Sequence, residues 1–147
     1  MSTGTAWSSE VDAWSRALVV VHSVLLGVLV LALGFCGFMV VSDELSHEDA
    51  WDGLGTALGL WGGALTLVAI GVAALLLSVS RRGRRERDRS RVAWSSTVTM
   101  LIAGVWLVCA WPSLRPGETG SWVLALSPAL VALPVAGGAL TSALRAR

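Results

Sequence analysis

Residues 17–42 read ALVVVHSVLLGVLVLALGFCGFMVVS, a stretch without a single Asp, Glu, Lys or Arg. Three more charge-free stretches follow, at residues 53–80, 92–114 and 119–144. Each is longer than the roughly 20 residues that an α-helix needs to cross the hydrocarbon core of a bilayer. A backbone inside that core must satisfy its own hydrogen bonds, and a helix does so within one segment. The pattern predicts an all-α membrane protein with four transmembrane helices in an up-down bundle, at residues 17–41, 54–79, 92–111 and 121–144.

The composition of the 147-residue chain agrees with a membrane protein. Hydrophobic residues make up 54% of it and charged residues 14%, with a mean hydropathy of +0.70. A soluble domain carries about 25% charged residues, so the deficit argues against a water-soluble enzyme, a disordered chain or a nucleic-acid-binding domain. Lys, Tyr, Asn and Gln are absent, and all eleven basic residues are Arg, a usage expected of a GC-rich genome.

The distribution of positive charge predicts the orientation, because short cytoplasmic loops are enriched in Lys and Arg. Residues 80–91 carry seven of the eleven Arg, and three more near the two termini lie on the same side of a four-span topology. The outer loops, 42–53 and 112–120, contain only Arg115 and are otherwise acidic. We therefore expect a protein of the bacterial cytoplasmic membrane with both termini in the cytoplasm.

The N-terminal tail, residues 1–16, has a short helical pattern. Apolar residues recur at 4-3-4 spacing, the period of one helix face: Trp7, Val11, Trp14 and Leu18. Ser9 fits the N-cap of a capping box, with Asp12 three residues further on. The pattern fits either a short helix in the cytoplasmic interface or a frayed tail.

The second predicted helix carries a seam of small residues at 4-3-4-3-4 spacing: Gly55, Gly59, Gly62, Thr66, Ala69 and Ala73. Gly63 forms a tandem small-xxx-small motif with Gly55 and Gly59. Small residues let two helix backbones approach closely, and such contact drives helix association in lipid. The seam predicts either packing within one four-helix monomer or the interface of a homo-oligomer or a partner protein.

The outer loop 42–53 is the densest cluster of functional groups in the sequence. In helical geometry Asp43 and Glu44 lie near His47, and Glu44 stacks on Glu48. Carboxylate oxygens bind hard cations, and a His adds borderline metals. These four residues form either a weak cation site or a solvated loop. Their spacing matches no calcium loop or zinc pattern, so we assign no metal.

The predicted spans contain no Asp, Glu, Lys or Arg, and His22 is the one His inside them. An ionisable side chain in a membrane span often marks a function. His22 can act as a protonatable membrane group, or bond a headgroup or carbonyl near the boundary. A haem with two His ligands is not expected, because His47 lies on the far side, and we predict no cofactor. Cys36 and Cys109, near the outer ends of their helices, are either small buried side chains or a disulfide.

The third predicted helix contains hydroxyl residues, and the fourth contains two prolines. Ser95 and Thr99 share a face, and such hydroxyls can either bond carbonyls about one turn back along the helix or bond across to a neighbouring helix. Pro128 and Pro134 each remove an amide donor, which predicts a kink that neighbouring helices tolerate.

The Arg-rich segment 80–91 begins with the residues that we expect to contact anionic lipid headgroups: Arg81, Arg82, Arg84 and Arg85. It lacks interleaved aromatic residues, so no nucleic acid is expected. The sequence shows no nucleophile–base pair, metal triad or phosphate loop, and we expect no enzyme. The leading hypothesis is a non-catalytic multi-pass membrane protein that acts by association, as a homo-oligomer or as an accessory subunit of a membrane complex. A small transporter or channel formed by oligomerisation is the second hypothesis, and a sensor of outer cations or pH the third.

A reporter that folds only where disulfides form tests the topology. We expect it to be inactive when fused to the C-terminus and active when fused within loop 42–53. An active C-terminal fusion would reverse the predicted orientation.

Overall fold

The computed structural model describes residues 8–45, 53–110 and 119–145, with side chains for residues 8–45, 53–109 and 126–145. It contains four α-helices: α1 (Ser9–Leu45), α2 (Leu54–Arg85), α3 (Arg89–Ala110) and α4 (Thr119–Arg145). All four are long and apolar enough to cross a membrane. The predicted class, an all-α membrane protein with four transmembrane helices, is therefore confirmed.

One compact unit, His22–Leu75, is a hairpin made of the second part of α1 and the first part of α2. The two helices approach closely at Gly59 of α2. A Cβ atom on Gly59 would lie 2.6 Å from Cγ2 of Val40 and 2.8 Å from the carbonyl oxygen of Cys36. Because one of these atoms belongs to the backbone of α1, no larger residue fits there without separating the helices.

The register of this hairpin follows from its other close contacts. Near the end where the chain passes from α1 to α2, Gly55 faces Asp43, and two turns further along α2 Gly63 faces Leu33. The helices are therefore antiparallel. Oδ2 of Asp43 also accepts a hydrogen bond of 2.8 Å from the backbone N–H of Thr56. A side chain of α1 thus satisfies one of the unpaired amides at the start of α2.

The other compact unit comprises the described residues of Met1–Val21 and Leu76–Arg147. A buried apolar cluster of this unit joins residues of α1, α3 and α4: Leu18, Val92, Ala136 and Ala139. Val92 lies near the start of α3 and meets alanines near the end of α4, so these two helices pack antiparallel. α4 remains one helix through Pro128 and Pro134.

The start of α1 lies against the end of α4 in the same unit. A Cβ atom on Gly138 would lie 2.6 Å from the indole ring of Trp14. The glycine therefore makes room for the Trp side chain. This contact places the beginning of the first helix and the end of the last helix at one end of the unit.

A three-residue turn, residues 86–88, joins α2 to α3. The N–H of Asp88 donates to the carbonyl of Gly83 at 2.8 Å, and the N–H of Arg87 donates to that of Arg84 at 3.4 Å. Arg87 has a left-handed φ of 53°. Together these features form a Schellman motif, which satisfies the last carbonyls of α2.

The same turn begins α3 directly. Oδ1 of Asp88 accepts hydrogen bonds from the N–H groups of Ser90 at 2.9 Å and Arg91 at 3.4 Å, the geometry of an N-cap. Gly83 lets the helices meet here, because a Cβ atom on it would lie 3.0 Å from Cβ of Arg91. Most of the predicted cytoplasmic loop 80–91 is consequently helical.

The prediction that Ser9 caps α1 is wrong by one residue. The hydroxyl of Ser8 accepts a 3.2 Å hydrogen bond from the N–H of Val11, so Ser8 is the N-cap and Ser9 is the first helical residue. Residues 9–16 are not a separate interfacial helix, because no helix breaker divides them from the span and α1 runs through both. Asp12 has no capping role and is available for ion pairs.

Buried hydroxyl groups in α3 bond to carbonyls of their own helix. The Ser95 hydroxyl donates to the carbonyl of Val92 at 3.1 Å, and the Thr99 hydroxyl donates to that of Ser95 at 2.7 Å. The back-bonding predicted for these residues is confirmed. Hydroxyls satisfied in this way can be buried at low cost among apolar neighbours.

Replacing Gly59 by Ala tests the close contact between α1 and α2. We expect Gly59→Ala to lower the free energy of unfolding by about 1–3 kcal/mol, because the new methyl group overpacks the interface. Gly71→Ala is the matched control in the same helix, since a Cβ atom there meets nothing within 4 Å. It should leave stability unchanged or raise it by up to about 1 kcal/mol through helix propensity. Equal effects in reversible unfolding from detergent micelles would contradict the packing.

Candidate functional site

A cleft of about 700 Å³ lies between the start of α1 and the end of α2. Four of its lining residues come from the start of α1 and four from the end of α2 and the following turn: Ser8, Ser9, Asp12, Val19, Arg81, Arg84, Arg85 and Arg87. All eight belong to the same compact unit. The cleft therefore brings four guanidinium groups and one carboxylate around a volume within the roughly 300–1,000 Å³ range of ligand sites.

The helical period places three of these Arg side chains together. Arg84 and Arg85 lie three and four residues after Arg81, so they are its neighbours on one face of α2. Arg87 joins them from the turn, where its left-handed backbone costs about 1–2 kcal/mol for a residue with a side chain. Glycine is favoured at this position of a helix end, yet the chain carries an Arg whose side chain lines the cleft.

Asp12 is the one acid among the described residues of the lining, and it is paired. Its Oδ1 lies 3.3 Å from Nε of Arg84 and its Oδ2 lies 2.9 Å from a terminal nitrogen of Arg16. Hydrogen bonds from Arg16 and then Arg84 hold the pKa of Asp12 below its usual value. The carboxylate therefore remains ionised at neutral pH and links α1 to α2.

The other three Arg residues of the lining have no such acid. Among the residues that the structure describes, Arg81, Arg85 and Arg87 form no salt bridge. The single carboxylate of Asp12 cannot neutralise four guanidinium groups. The cleft consequently carries an excess of positive charge, which makes it attractive to an anion.

The structure brings together three of the four Arg residues that the sequence assigned to anionic lipid, namely Arg81, Arg84 and Arg85. Arg82 does not line the cleft, because it is rotated by about 100° from Arg81 around the helix axis. Arg87 was missed from the sequence, although its position directly before the N-cap Asp88 is a signal for a helix-ending turn.

The glycines of the predicted seam face α1 of the same chain: Gly55, Gly59, Gly62 and Gly63. A Cβ atom on Gly62 would lie 3.2 Å from Sγ of Cys36. Further along the seam, Thr66 donates to the carbonyl of Gly62 at 2.7 Å, Ala69 is half-buried and Ala73 is buried. The glycines of the seam thus pack against α1 within the chain.

Other glycines are open: Gly71 in α2, Gly104 in α3, Gly137 in α4 and three in α1. A Cβ atom on Gly27, Gly34 or Gly37 would meet nothing within 4 Å in the part of the chain that the structure describes. Gly27 and Gly34 are seven residues apart, which keeps them on one helix face. In the sequence alone these glycines attract little notice, because the longer run of small residues in α2 is the more conspicuous pattern.

His22 is completely buried in the chain. Its ring therefore does not contact lipid headgroups, in contrast to one of the alternatives that its position near the membrane boundary favoured. The hypothesis that it is a protonatable membrane group stays a prediction.

The predicted outer cation site is only partly described. Asp43 accepts the N–H of Thr56, and hydrogen bonding to Thr56 above all holds the pKa of Asp43 below its usual value. Glu44 is exposed, whereas His47 and Glu48 lie outside the described residues. Within residues 8–45, 53–110 and 119–145, no three His, Cys, Asp or Glu side chains come together as metal ligands. Asp43 thus has a structural role as a cap of α2.

Cys36 and Cys109 are both free thiols, so the disulfide that the sequence left open is not formed in this structure. Cys36 is half-buried in the hairpin and Cys109 is exposed on α3. Only Cys36 therefore resembles the small buried side chain that was the other alternative.

Comparison with protein-family models, with curated proteins and with solved structures finds no match to this chain.

Replacing Asp12 by Asn tests the ion pair between α1 and α2. Because the pKa of Asp12 is lowered in the folded state, its contribution to stability is complete above the unfolded pKa of about 4 and is lost as the pH falls through the folded value. We expect Asp12→Asn to lower the unfolding temperature at neutral pH, and the difference from wild type to disappear in acid. Glu10→Gln removes an exposed acid of the same turn and should show no such pH-dependent difference. Indistinguishable pH profiles for the two variants would argue against the ion pair.

Proposed function

We propose that this chain is a non-catalytic multi-pass protein of the bacterial cytoplasmic membrane and that it acts by association, as a homo-oligomer. The observation that carries the proposal is the open glycine face of α1, defined here by Gly27 and Gly34 with Leu31 and Phe38. Nothing in the described chain lies within 4 Å of the position of a Cβ atom on either glycine.

The orientation has both termini in the cytoplasm. The ion pair between Asp12 and Arg84 and the contact between Trp14 and Gly138 support it, because they gather the start of α1, the end of α2 and the end of α4 at one end of their unit. That end carries the Arg-rich turn, and the positive-inside rule places such a segment in the cytoplasm.

Glycine within a helix lowers helix stability by about 1 kcal/mol relative to Ala. Contact with lipid chains offsets little of this loss. Close packing by another helix offsets the cost, because helix association in lipid depends on van der Waals contact between small residues and their neighbours. This chain already packs in that way at Gly59, where α1 lies against a glycine of α2. The open glycines of α1 fit the same kind of contact with a second helix.

The residues beside these glycines favour a second copy of the chain as the partner. Leu31 and Phe38 each follow an open glycine by four residues and are 76% and 66% exposed. Along this face, glycines without a side chain thus alternate with large side chains that protrude. A two-fold interface places the same face on both copies, and copies with the same orientation in the membrane have parallel α1 helices. Leu31 of one copy then fills the space between Gly27 and Gly34 of the other, and Phe38 lies one turn beyond Gly34.

Cysteine crosslinking in native membranes tests the interface. In a background with Cys36→Ala and Cys109→Ala, we expect Gly34→Cys to form disulfide-linked dimers upon oxidation with copper phenanthroline. Phe35→Cys is the matched control, because it lies at the same depth but is rotated by about 100°, and it should remain largely monomeric.

Absence of dimers from Gly34→Cys, or equal yields from both positions, would refute a homo-oligomer packed through this face. A crosslink from position 34 to a different protein would replace the second copy by a heteromeric partner.

A further inference from the structure

We propose that the cleft between the start of α1 and the end of α2 binds a phosphate-bearing anion, in the first place the headgroup of an anionic phospholipid. The cleft shares no residue with the open glycine face, and binding there does not depend on oligomerisation.

The groups that line the cleft have the chemistry of a phosphate site. Arg81, Arg85 and Arg87 form no salt bridge among the described residues. Arg84 contacts Asp12 through Nε, which leaves its terminal nitrogens as further donors. A guanidinium group offers parallel N–H donors that match two oxygens of a phosphate, and such charge-assisted pairs are about twice as strong as neutral hydrogen bonds.

The start of α1 adds neutral donors to the opposite wall. Ser8 and Ser9 both line the cleft. The Ser8 oxygen accepts a hydrogen bond from the N–H of Val11. This bond does not use the hydroxyl hydrogen, which can be donated to an anion. Hydroxyl donors opposite guanidinium groups allow several phosphate oxygens to be bonded at once.

Two unfavourable features of the protein coincide at this cleft. Arg81 and Arg85 are like charges one turn apart on a helix, which repel each other. Arg87 has a left-handed backbone, and residues in such conformations concentrate at functional sites. A bound anion screens the repulsion and pairs with the Arg87 side chain, which gives a physical reason for an Arg where a glycine would be more stable.

The depth of the cleft favours a lipid over a free anion. Val19 belongs to its lining and also to the predicted span 17–41, whereas Ser8 precedes the span. The cleft therefore extends from the polar boundary toward the apolar part of α1. A phospholipid presents a phosphate on one side and acyl chains on the other, and basic residues at the cytoplasmic surface attract anionic headgroups.

The first experiment measures ligand binding to the full chain, purified in a neutral detergent, through the unfolding temperature. Three probes are compared: short-chain phosphatidylglycerol, phosphatidylcholine with the same chains, and inorganic phosphate. We expect a saturable increase with phosphatidylglycerol and none with phosphatidylcholine, because binding to the folded state alone raises its stability. An increase with inorganic phosphate but not with phosphatidylglycerol would assign the cleft to a soluble anion. An increase with neither would overturn the proposal.

Two single substitutions separate a site from general charge attraction. Arg85→Gln and Arg82→Gln remove the same charge from the same helix, but only Arg85 lines the cleft. We expect Arg85→Gln to weaken phosphatidylglycerol binding about tenfold, the scale of one lost charge-assisted bond, and Arg82→Gln to weaken it less than about twofold. Arg85 forms no salt bridge among the described residues, so its replacement should not impair folding. Equal losses in the two variants would overturn the cleft as the site.

Substitution of Arg87 distinguishes binding from a structural role. Arg87→Gly relieves the left-handed backbone and removes the guanidinium group, so we expect a higher unfolding temperature without ligand and weaker binding of phosphatidylglycerol. Arg87→Gln should weaken binding without the gain in stability. Affinity unchanged in both variants would overturn the assignment of Arg87 to the site. Because neither variant alters the open glycine face, these results are independent of the crosslinking at position 34.

Discussion

A backbone amide inside a bilayer has no water to bond, and this constraint underlies the whole structure. It favours crossing segments that are helical, because a helix satisfies its own backbone groups, and α4 remains helical through two prolines. It also explains the buried hydroxyls of α3, which bond carbonyls of their own helix, as Thr99 does with Ser95. Charged groups are left for the ends of the helices, where water and headgroups can solvate them.

The packing of these helices depends on shape, because lipid chains are as apolar as the side chains that face them. Gly59 illustrates the consequence: its missing side chain lets the backbone of α1 approach α2. Gly34 has the same shape with no neighbour in the described chain. Glycine therefore forms an internal contact at one position and leaves an open surface at another, and only the neighbouring helix distinguishes the two cases.

The Arg-rich end of the molecule combines structure and binding capacity in a few residues. Arg87 and Asp88 end α2 and begin α3, while Asp12 links α1 to α2 through Arg84. These contacts use only part of the positive charge of the segment. The remainder lies around the cleft, so the topology signal and the proposed anion site come from the same side chains.

The sequence by itself determined the helical class, the four spans and the concentration of Arg at one end, because hydropathy and charge patterns depend only on the order of residues along the chain. It also indicated the seam of α2 and most of the Arg residues of the cleft.

Tertiary structure decided that the glycines of the seam face α1, that Ser8 rather than Ser9 caps the first helix, and that Arg87 lines the cleft while Arg82 does not. Sequence patterns could not decide these points, because an apolar residue that faces lipid looks like one that faces protein. Moreover, whether a side chain at a helix end lines a cleft depends on which other helix lies beside it.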